Sequence, residues 1–559
     1  MRAPVVVGIG VLLFMVSGCT REPAPEAQTE SAAPAAGEAS GTVVDDAAMA
    51  NESAGENWLA FGRTYSEQRF SPLDQVNAGN VASLGVDWFM ELPNARGLVS
   101  TPLVVDGVMY FVESMNRIRA VDATSGDELW MWDPKIHEHS DMRVGWEHNR
   151  GIGIWKDKVY QATWDGRLIA IDRATGKQAW SQRIYDQGMP LYNTGAPKIF
   201  KGKVMIGSGG TEAGPNRGYV VAHDAETGEF LWKFYIVPGN PADGFESEAM
   251  EMAAETWTGE WWKYGGGGNA WHGFTYDADL DVVYIGTGNG APWNQKVRSP
   301  GGGDNLFLDS IVALDPDTGE YHRPSPNPPG ETWAYPATLD MGRAALEIDG
   351  QTVKAMMQAP KNGFFYVHDR ESRKLLSAET YAEINWATHV DMETGRPVER
   401  PGARYEDGEE RISPTPAGAH SWHAMSYNPM TGLVYIPVLQ ISAIYNDEGI
   451  DPDSWESAVF EGDTTAVGWR IVEDRTHVAG SLQARDPVTN TVAWEVPMYG
   501  IGNAGTMTTA GNLVFQGRVD GTLRAYNATT GEELWSNDLG LGITAPPVTY
   551  SVDGKQYIA

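Results

Sequence analysis

Short stretches in which apolar and polar residues alternate recur along most of the chain. Each stretch runs into a turn containing Gly, Asp or Asn, and a second alternating stretch follows. A period of two, interrupted by turn residues, predicts β-hairpins rather than helices. Eight hairpins are predicted, and they begin at Thr101, Gly151, Gly195, Trp271, Ala345, Trp422, Gly505 and Ala545.

A second repeat, which ends in tryptophan, follows most of the hairpins. An Asp or Asn stands eight positions before each tryptophan, usually with Thr-Gly between them. The Asp is expected to bond turn backbone and the Gly to supply a positive φ. A degenerate copy begins at Asp315, with Arg323 in place of tryptophan. The intact copies are Asp122 to Trp130, Asp172 to Trp180, Asp224 to Trp232, Asp486 to Trp494 and Asn527 to Trp535.

Together the two repeats predict an all-β fold, an eight-bladed β-propeller with tryptophans docked between blades, over residues 57–559. Burying one tryptophan removes about 150–250 Å² of apolar surface, or roughly 4–6 kcal/mol as an upper estimate. The eighth hairpin ends in mid-strand at Ala559. We therefore expect the sequence to be truncated there, and residues 57–73 to complete the last blade.

The N-terminal residues predict export. Residues 1–19 combine Arg2, an apolar run and Ser17-Gly18-Cys19, which is typical of a signal peptide. The end of this segment resembles a bacterial lipobox, which would make Cys19 a lipid anchor; an ordinary signal peptide with a chance cysteine is the alternative. Residues 20–56 are rich in Ala, Glu, Pro and Ser and predict a disordered tether.

Charge and cysteine content restrict the partners. The chain has 41 basic and 74 acidic residues, a net charge of −33, which repels phosphate backbones and anionic lipids. No nucleic-acid partner is expected, and membrane contact is expected only through Cys19. Because Cys19 is the only cysteine, the folded part of this sequence has no disulfide and no CxxCH haem attachment.

Candidate chemistry first arises in the glycine-rich stretch 286–310, which contains Asn289 and Asp304. Glycine is favoured where backbone takes a positive φ or approaches another group closely, so this stretch could be shaped around a ligand. A long surface loop has the same composition. This stretch alone leaves both interpretations open.

Several motifs together resemble the quinoprotein alcohol dehydrogenases, eight-bladed propellers that hold pyrroloquinoline quinone (PQQ) and a metal ion on the ring axis. The resemblance extends from about residue 57 to the end of the chain. Its stretches are NRGIGIW at 149–155, ATWDGRLIAID at 162–172, IGSGGTEAGPNRGYVVAHDAETG at 206–228, YGGGGNAW at 264–271, GTGNGAPWN at 286–294, GGGDNLFLDSIVALDPDTG at 301–319 and APKNGFFYVHD at 359–369.

The resemblance implies a role for individual residues. Glu212 and Asn289 match metal ligands, and Asp304 matches a catalytic base that also approaches the metal. Lys361 matches a catalytic cation beside the quinone oxygens, and Trp271 an indole beneath the PQQ plane. The other implied PQQ-binding residues are Arg150, Thr163, Gly210, Thr211 and, through the shared ion, Glu212. Each has a structural alternative, such as a solvated acid, a turn former, a helix cap or blade packing.

Electrostatics explains why such a site needs a metal. Two carboxylates about 4 Å apart repel by about 4 kcal/mol at an effective dielectric of 20, so buried acids require a cation. Carboxylate and amide oxygens suit calcium. The resemblance implies that calcium acts as a Lewis acid, that PQQ accepts hydride from an alcohol, and that Asp304 accepts the hydroxyl proton.

Several positions depart from the family pattern. Val144-Gly145 stand where adjacent disulfide-bonded cysteines are common, although nearby Trp146 could cover the cofactor instead. Val99 replaces an acid, Ser421 an asparagine and Gly502 a tryptophan. Leu306 stands where the resemblance implies an extra acid in relatives that use a lanthanide. These changes put PQQ affinity in question and favour calcium.

Two hypotheses of different classes remain. The first is a periplasmic, lipid-anchored PQQ-dependent alcohol dehydrogenase that passes electrons to a cytochrome c or similar acceptor. The second is a non-catalytic lipoprotein propeller that assists outer-membrane assembly. The combination of Glu212, Asn289, Asp304 and Lys361 favours the enzyme.

Overall fold

The computed structural model describes residues 41–93, 97–139, 148–322, 330–459, 462–472 and 480–559. Its helices are short: α1 (Asp46–Ala50), α2 (Ile136–His139), α3 (Glu248–Ala254) and α4 (Gln295–Arg298). Single 3₁₀ turns span Val81–Ser83, Ser114–Asn116, Thr211–Ala213, Pro241–Asp243 and Trp261–Lys263.

Most of the regular structure is strand. In chain order the strands are β1 (Phe70–Ser71), β2 (Leu103–Val105), β3 (Val108–Val112), β4 (Ile118–Asp122), β5 (Glu128–Trp132), β6 (Gly153–Trp155), β7 (Lys158–Ala162), β8 (Arg167–Asp172), β9 (Gln178–Arg183), β10 (Lys198–Phe200), β11 (Lys203–Gly207), β12 (Tyr219–Asp224), β13 (Phe230–Tyr235), β14 (Gly266–Gly267), β15 (Phe274–Asp277), β16 (Val282–Gly286), β17 (Gly290–Ala291), β18 (Ile311–Leu314), β19 (Met341–Ile348), β20 (Gln351–Gln358), β21 (Phe364–Asp369), β22 (Leu375–Thr380), β23 (Ala387–Val390), β24 (Pro397–Glu399), β25 (Glu410–Ile412), β26 (Ser426–Asn428), β27 (Leu433–Leu439), β28 (Ala443–Asn446), β29 (Gly468–Ile471), β30 (Gly480–Asp486), β31 (Thr491–Met498), β32 (Thr506–Thr509), β33 (Leu513–Gly517), β34 (Thr522–Asn527), β35 (Glu533–Asp538), β36 (Thr549–Val552) and β37 (Lys555–Ile558).

Each of the eight predicted hairpins lies in a sheet of its own. The sheets have the strand orders β2-β3-β4-β5, β6-β7-β8-β9, β10-β11-β12-β13, β15-β16-β18, β19-β20-β21-β22, β26-β27-β30-β31, β1-β32-β33-β34-β35 and β36-β37. Successive sheets of mostly antiparallel strands, taken largely in chain order, are the repeating units of a propeller. The predicted all-β propeller class is therefore confirmed.

The repeat tryptophans join one sheet to the next. The Trp130 indole N–H donates to the carbonyl of Arg173 in the following repeat at 3.0 Å, and Trp180 donates to Ala225 at 3.1 Å. The face of each indole also lies against the turn glycine of the following repeat. A Cβ added at Gly176 would lie 2.7 Å from the Trp130 ring, and one added at Gly228 would lie 2.8 Å from the Trp180 ring. The same donor geometry occurs at Trp232, Trp494 and Trp535.

The repeat aspartates stabilise the turns as the sequence predicts. One oxygen of Asp122 accepts from the backbone N–H groups of Thr124 and Ser125, at 2.8 and 3.0 Å. Asp224 accepts from Glu226 and Thr227 in the same way. These bonds replace partners that the turn backbone would otherwise lack.

The first and last parts of the chain meet at the last sheet, although not through the residues predicted. Within 57–73, β1 pairs in parallel with β32, and Trp58 bridges Val104 of the first sheet. The following segment docks on β37 instead: Val76 N–H donates to the Gln556 side chain at 2.8 Å. Trp88 then donates to the carbonyl of Ala123 at 3.1 Å, like a repeat tryptophan.

The folded unit begins at Thr42, so the predicted tether boundary at residue 56 is wrong. Helix α1 is capped by Asp45, and Val44 and Met49 are 0% and 2% exposed. These two apolar side chains, together with the hydrogen bond that the Tyr65 hydroxyl donates to Asp46, help to hold the segment against the propeller. The predicted signal peptide, Cys19 and the first part of the tether lie outside the described residues. Among the described helices, none has the length and apolar character needed to cross a membrane.

Candidate active site

Glu212 and Asn289, the two predicted metal ligands, are in contact. Glu212 lies in the 3₁₀ turn Thr211–Ala213 that follows β11, and Gly210 before it has a φ of +88°. The Asn289 side-chain amide donates to Glu212 Oε1 at 2.7 Å. The Trp293 indole N–H donates to the same oxygen. A carboxylate and an amide from two successive sheets are therefore in direct contact.

Glycines allow this approach. The Gly268 N–H donates to the Asn289 carbonyl at 2.9 Å. At Gly267, where φ is +95°, an added Cβ would lie 2.5 Å from the Asn289 carbonyl oxygen. A side chain there would push apart the two strands β14 and β17, so the glycines serve a close backbone contact as well as turns.

Asp304 does not join this pair, and its assignment as the base is wrong. Both of its carboxylate oxygens accept from the guanidinium of Arg396, one of them at 3.0 Å, and its side chain is 32% exposed. The arginine comes from the β23–β24 hairpin, 92 residues away. A forked ion pair already occupies the oxygens that would have to receive a substrate proton.

Two buried acids near the site were not predicted from the sequence. Asp309 and Glu331 are each 1% exposed. Glu331 Oε2 accepts from the backbone N–H groups of Trp333, Ala334 and Tyr335, and Oε1 accepts from Gly290. Asp309 belongs to the family-like stretch 301–319, but its spacing gave no sign that it, rather than Asp304, turns inward.

Lys361 lies beside these acids. Its ammonium donates to the carbonyl of Pro416 at 2.7 Å. Burial lowers the pKa of Lys361 to about 8, although Glu212, Glu331 and Asp309 oppose the shift. Burial likewise raises the pKa of Asp309 well above its ordinary range; Glu331 adds to that shift, whereas Arg298 and Lys361 oppose it.

Arg150 and Trp271 are in contact. The guanidinium carbon lies 4.6 Å from the Trp271 ring centroid and 5.5 Å from that of Trp422. One terminal nitrogen donates to Thr194 Oγ1 at 2.6 Å, but buried Nε has no hydrogen-bond partner among the described residues. Burial lowers the pKa of Arg150 to about 10. The indole face expected to support PQQ thus carries the arginine expected to bind a PQQ carboxylate.

The two predicted cofactor-binding threonines differ in whether their hydroxyl groups already have hydrogen-bond partners. Thr163 Oγ1 bonds to Asp165 Oδ1 at 2.5 Å and lies 3.0 Å from the Arg167 carbonyl, so its single hydrogen is already used within a turn. This assignment is therefore not supported. Thr211 is fully buried, and its hydroxyl has no partner in the described part of the chain. Thr211 can still donate to a ligand.

The departures from the family pattern have different surroundings. Val99 and Ser421 are buried. A Cβ added at Gly502, where φ is +93°, would meet no atom within 4 Å, so the missing tryptophan leaves open space. Leu306 packs at the edge of the main apolar cluster. Val144, Gly145 and Trp146 lie outside the described residues.

Buried groups without partners and the available oxygen donors indicate whether the site suits PQQ and a metal. Unsatisfied buried groups occur at Arg150 Nε, Thr211 Oγ1 and both Asp309 oxygens, and a polar cofactor can satisfy such groups. The described ranges contain no group of three or more His, Cys, Asp or Glu arranged for a metal. A metal here would depend on the mixed oxygen donors Glu212 and Asn289 completed by cofactor atoms, which fits calcium.

Comparison with known proteins identifies relatives of this chain. Residues 58–377 and 462–558 match the family described as PQQ glucose/ethanol/alcohol dehydrogenase, beta-propeller domain. The chain is 50% identical over 522 residues to quinohemoprotein alcohol dehydrogenase ADH IIB of Pseudomonas putida, covering 92% of this chain and 75% of that protein. It is 39% identical over 524 residues to 1-butanol dehydrogenase (cytochrome c) of Thauera butanivorans, covering 90% and 74%.

A solved structure extends the match to three dimensions. The crystal structure of quinohemoprotein alcohol dehydrogenase from Comamonas testosteroni has a TM-score of 0.87 and 45% identity, covering 92% of this chain and 78% of that one. Sequence and fold agree over nearly all of the propeller. The chain therefore belongs to the PQQ-dependent glucose/ethanol/alcohol dehydrogenase family.

Proposed function

We propose that this protein oxidises an alcohol to an aldehyde or ketone, with PQQ as the hydride acceptor and calcium as the bound metal. The observation that carries the proposal is the meeting of Glu212 and Asn289 beside Lys361, in a chain of this family. A scaffold propeller has no need to bring these ionisable groups together in its interior, so they favour the enzyme over the non-catalytic alternative.

The residues of the site have separable tasks. Glu212 and Asn289 provide oxygen donors for calcium, and Arg150 and Thr211 offer unused donors to the carboxylates or carbonyls of PQQ. The bound cofactor and metal supply a hydride acceptor made more electrophilic by a Lewis acid. Lys361, held by Pro416, would offer a positive charge to a bound quinone as negative charge accumulates on it during reduction.

The wider setting belongs to the same proposal. Electrons leave through a cytochrome c or a similar acceptor, in keeping with the relative named 1-butanol dehydrogenase (cytochrome c). The signal-like residues 1–19 and the lipobox-like ending at Cys19 support a periplasmic protein anchored by lipid.

The testing experiment is dye-linked oxidation of primary, secondary and polymeric alcohols by protein loaded with PQQ and calcium. Turnover that requires both additions, and that a chelator abolishes, is expected. Calorimetry on the same sample measures PQQ binding directly. If no PQQ binds, the proposal fails, and the scaffold interpretation replaces it.

A further inference from the structure

A surface cavity of about 450 Å³ lies between the second and third sheets, and none of the residues assigned to metal or PQQ lines it. Its volume is in the range of sites that bind small molecules. Arg183 ends β9 on one side, and Tyr219 begins β12 and Tyr235 ends β13 on the other. The Tyr219 hydroxyl donates to the carbonyl of Ile184 at 2.8 Å, so it joins the two sheets at the cavity wall.

The lining of this cavity is positively charged in a strongly acidic protein. Arg183, Arg217 and Lys233 line it together with one acid, Asp186, whereas the whole chain has a net charge of −33. The Arg217 guanidinium is already paired, because it donates to Glu246 Oε1 at 2.6 Å. One acid remains in the lining to offset the other two cations, which leaves an excess of positive charge at the cavity.

Lys233 carries the charge that is least compensated. Its ammonium lies 4.1 Å from the ring centroid of Tyr219 and 5.3 Å from that of Tyr235, so the two aromatic rings hold it at the cavity. Within the described part of the chain Lys233 forms no ion pair. Burial lowers its pKa and Arg217 adds to the shift, whereas Asp186 opposes it. A bound anion would favour the charged ammonium.

The tryptophan repeat does not require this lysine. Lys233 directly follows Trp232, and the same place after the other intact repeat tryptophans holds Met131, Ser181, Glu495 and Ser536. Those sheets form without a cation at that position. Packing of the propeller therefore does not account for the lysine.

Asn216 adds an unused donor to the cavity wall. The residue is 7% exposed, it lines the cavity, and its amide nitrogen has no hydrogen-bond partner among the described residues. Buried polar groups nearly always have a partner, so an unpartnered amide beside a cavity indicates a ligand that accepts hydrogen bonds. A carboxylate accepts from an amide and from an ammonium alike.

The rest of the wall is apolar. Ile184 and Leu191 are 7% and 1% exposed, and Met189 and Pro215 also line the cavity. An inorganic anion would leave these side chains in contact with water, whereas an organic acid would cover them with its hydrocarbon body. The combination of one excess positive charge and an apolar wall matches an organic acid with a single carboxylate.

From these features we propose that the cavity binds a small organic monocarboxylate. Its carboxylate accepts from Lys233 and Asn216, and its apolar body lies against Met189 and Leu191. Binding breaks no covalent bond and needs neither PQQ nor metal. The site therefore goes beyond the proposed oxidation and does not depend on it.

Calorimetry with hexanoate tests the site directly. Hexanoate is expected to bind at least roughly tenfold more tightly than hexanamide, which lacks the charge, and than acetate or inorganic phosphate, which lack the apolar body. Phosphate that binds as tightly as hexanoate would show a general anion site, and hexanamide that does so would show an uncharged apolar pocket. Either result overturns the proposal, as does the absence of hexanoate binding at millimolar concentration.

Paired lysine variants locate the bound acid. Lys233→Gln is expected to weaken hexanoate binding by roughly tenfold or more, because a charge-assisted hydrogen bond is lost, and Lys233→Arg is expected to retain most of the affinity. The matched control Lys177→Gln removes an exposed cation from the turn between β8 and β9 and should leave the affinity unchanged. Equal affinities of wild type and Lys233→Gln overturn the assignment.

A variant of the proposed cofactor site distinguishes the two sites. Lys361 does not line the cavity, so Lys361→Gln should bind hexanoate as tightly as wild type. An equal loss in Lys361→Gln and Lys233→Gln would place the acid at the proposed PQQ site instead and overturn the proposal. Thermal unfolding of each variant without ligand shows that its fold is intact, and hexanoate should raise the melting temperature of wild type but not of Lys233→Gln.

Discussion

Glu212 accepts hydrogen bonds from Asn289 and from Trp293 at a single oxygen. Replacing it by Gln removes one of the negative charges that would hold calcium while keeping the size of the side chain. We expect Glu212→Gln to weaken calcium binding by at least tenfold, measured by calorimetry. Glu229→Gln, at an exposed position in the turn between β12 and β13, is the control and should leave the affinity unchanged. Equal affinities would remove Glu212 from the metal site.

Asp340 is a buried acid that is paired with a histidine. It accepts from His272 Nε2 at 2.9 Å. Burial alone raises the pKa of Asp340, but the hydrogen bond and charge of His272, with His420 and Arg69, lower it overall below 3.8. A carboxyl with a depressed pKa stabilises the fold above its unfolded pKa, and this stabilisation is lost as pH falls through the folded value.

We therefore expect Asp340→Asn to lower the free energy of unfolding by about 1.5–3 kcal/mol at pH 7. The difference from wild type should begin to shrink below about pH 4, where the carboxyl of the unfolded chain takes up a proton, and should vanish as pH falls through the lower pKa of the native carboxyl. Thermal unfolding at several pH values measures this. The exposed Asp349→Asn should show no comparable change. A difference that persists unchanged into acid would contradict the charge-based explanation.

Individual residues were predictable where a contact is local or a motif is continuous. Glu212, Asn289 and Lys361 lie in motifs that the sequence shows directly, and the structure brings them to one region. Asp304 and Asp309 lie in one loop, five residues apart, and nothing local separates them. The partner of Asp304 is Arg396, 92 residues away. Only the folded chain shows which acid is engaged and which turns inward.

At the scale of elements, the contact between tryptophan and glycine defines the junction of two sheets. Gly228 has a φ of +76°, and an added Cβ would lie 2.8 Å from the Trp180 ring. Gly350 has a φ of +75°, yet an added Cβ there meets nothing within 4 Å. Changing each to Ala therefore separates the backbone effect from the packing effect.

Gly350→Ala is expected to lower the free energy of unfolding by about 1–2 kcal/mol through backbone strain alone. Gly228→Ala should lose a further 1–3 kcal/mol or so, because the methyl group forces the indole away. Chemical denaturation of the two variants measures both values. Equal losses would show that the indole moves aside freely and that the contact does not hold the sheets together.

The hairpins and tryptophan repeats were predictable because their signals are periodic and span a dozen residues or so. The sheet β25-β28-β29 and the hairpin β23-β24 carry no such repeat and were not predicted. Apolar residues of these strands, among them Ile412 and Tyr445, belong to a separate apolar cluster with Trp333, Trp386 and Tyr405. Packing between distant segments specifies these elements, and single-sequence periodicity does not record it.

At the scale of the whole molecule, residues 42–56 belong to the folded unit. Val44 and Met49 are buried, and the buried Arg63 guanidinium donates to the carbonyls of Glu52 and Ala54. A chain that starts at Asn57 should lose about 3–6 kcal/mol of stability from these two apolar side chains, as an upper estimate. A chain that starts at Thr42 keeps them. Thermal unfolding of both forms compares their stabilities. Equal melting temperatures would show that residues 42–56 add no stability and behave as part of the tether.

The contact between the Val76 N–H and the Gln556 side chain joins residues 480 positions apart. During synthesis at about 5–20 residues per second, the earlier partner waits roughly 25–100 s for the later one. Throughout that interval the surface that receives β37 has no partner, and an unpaired strand edge invites association with other chains. The N-terminal segment around Val76 is therefore the part of a newly synthesised chain that is exposed to association with other chains for longest.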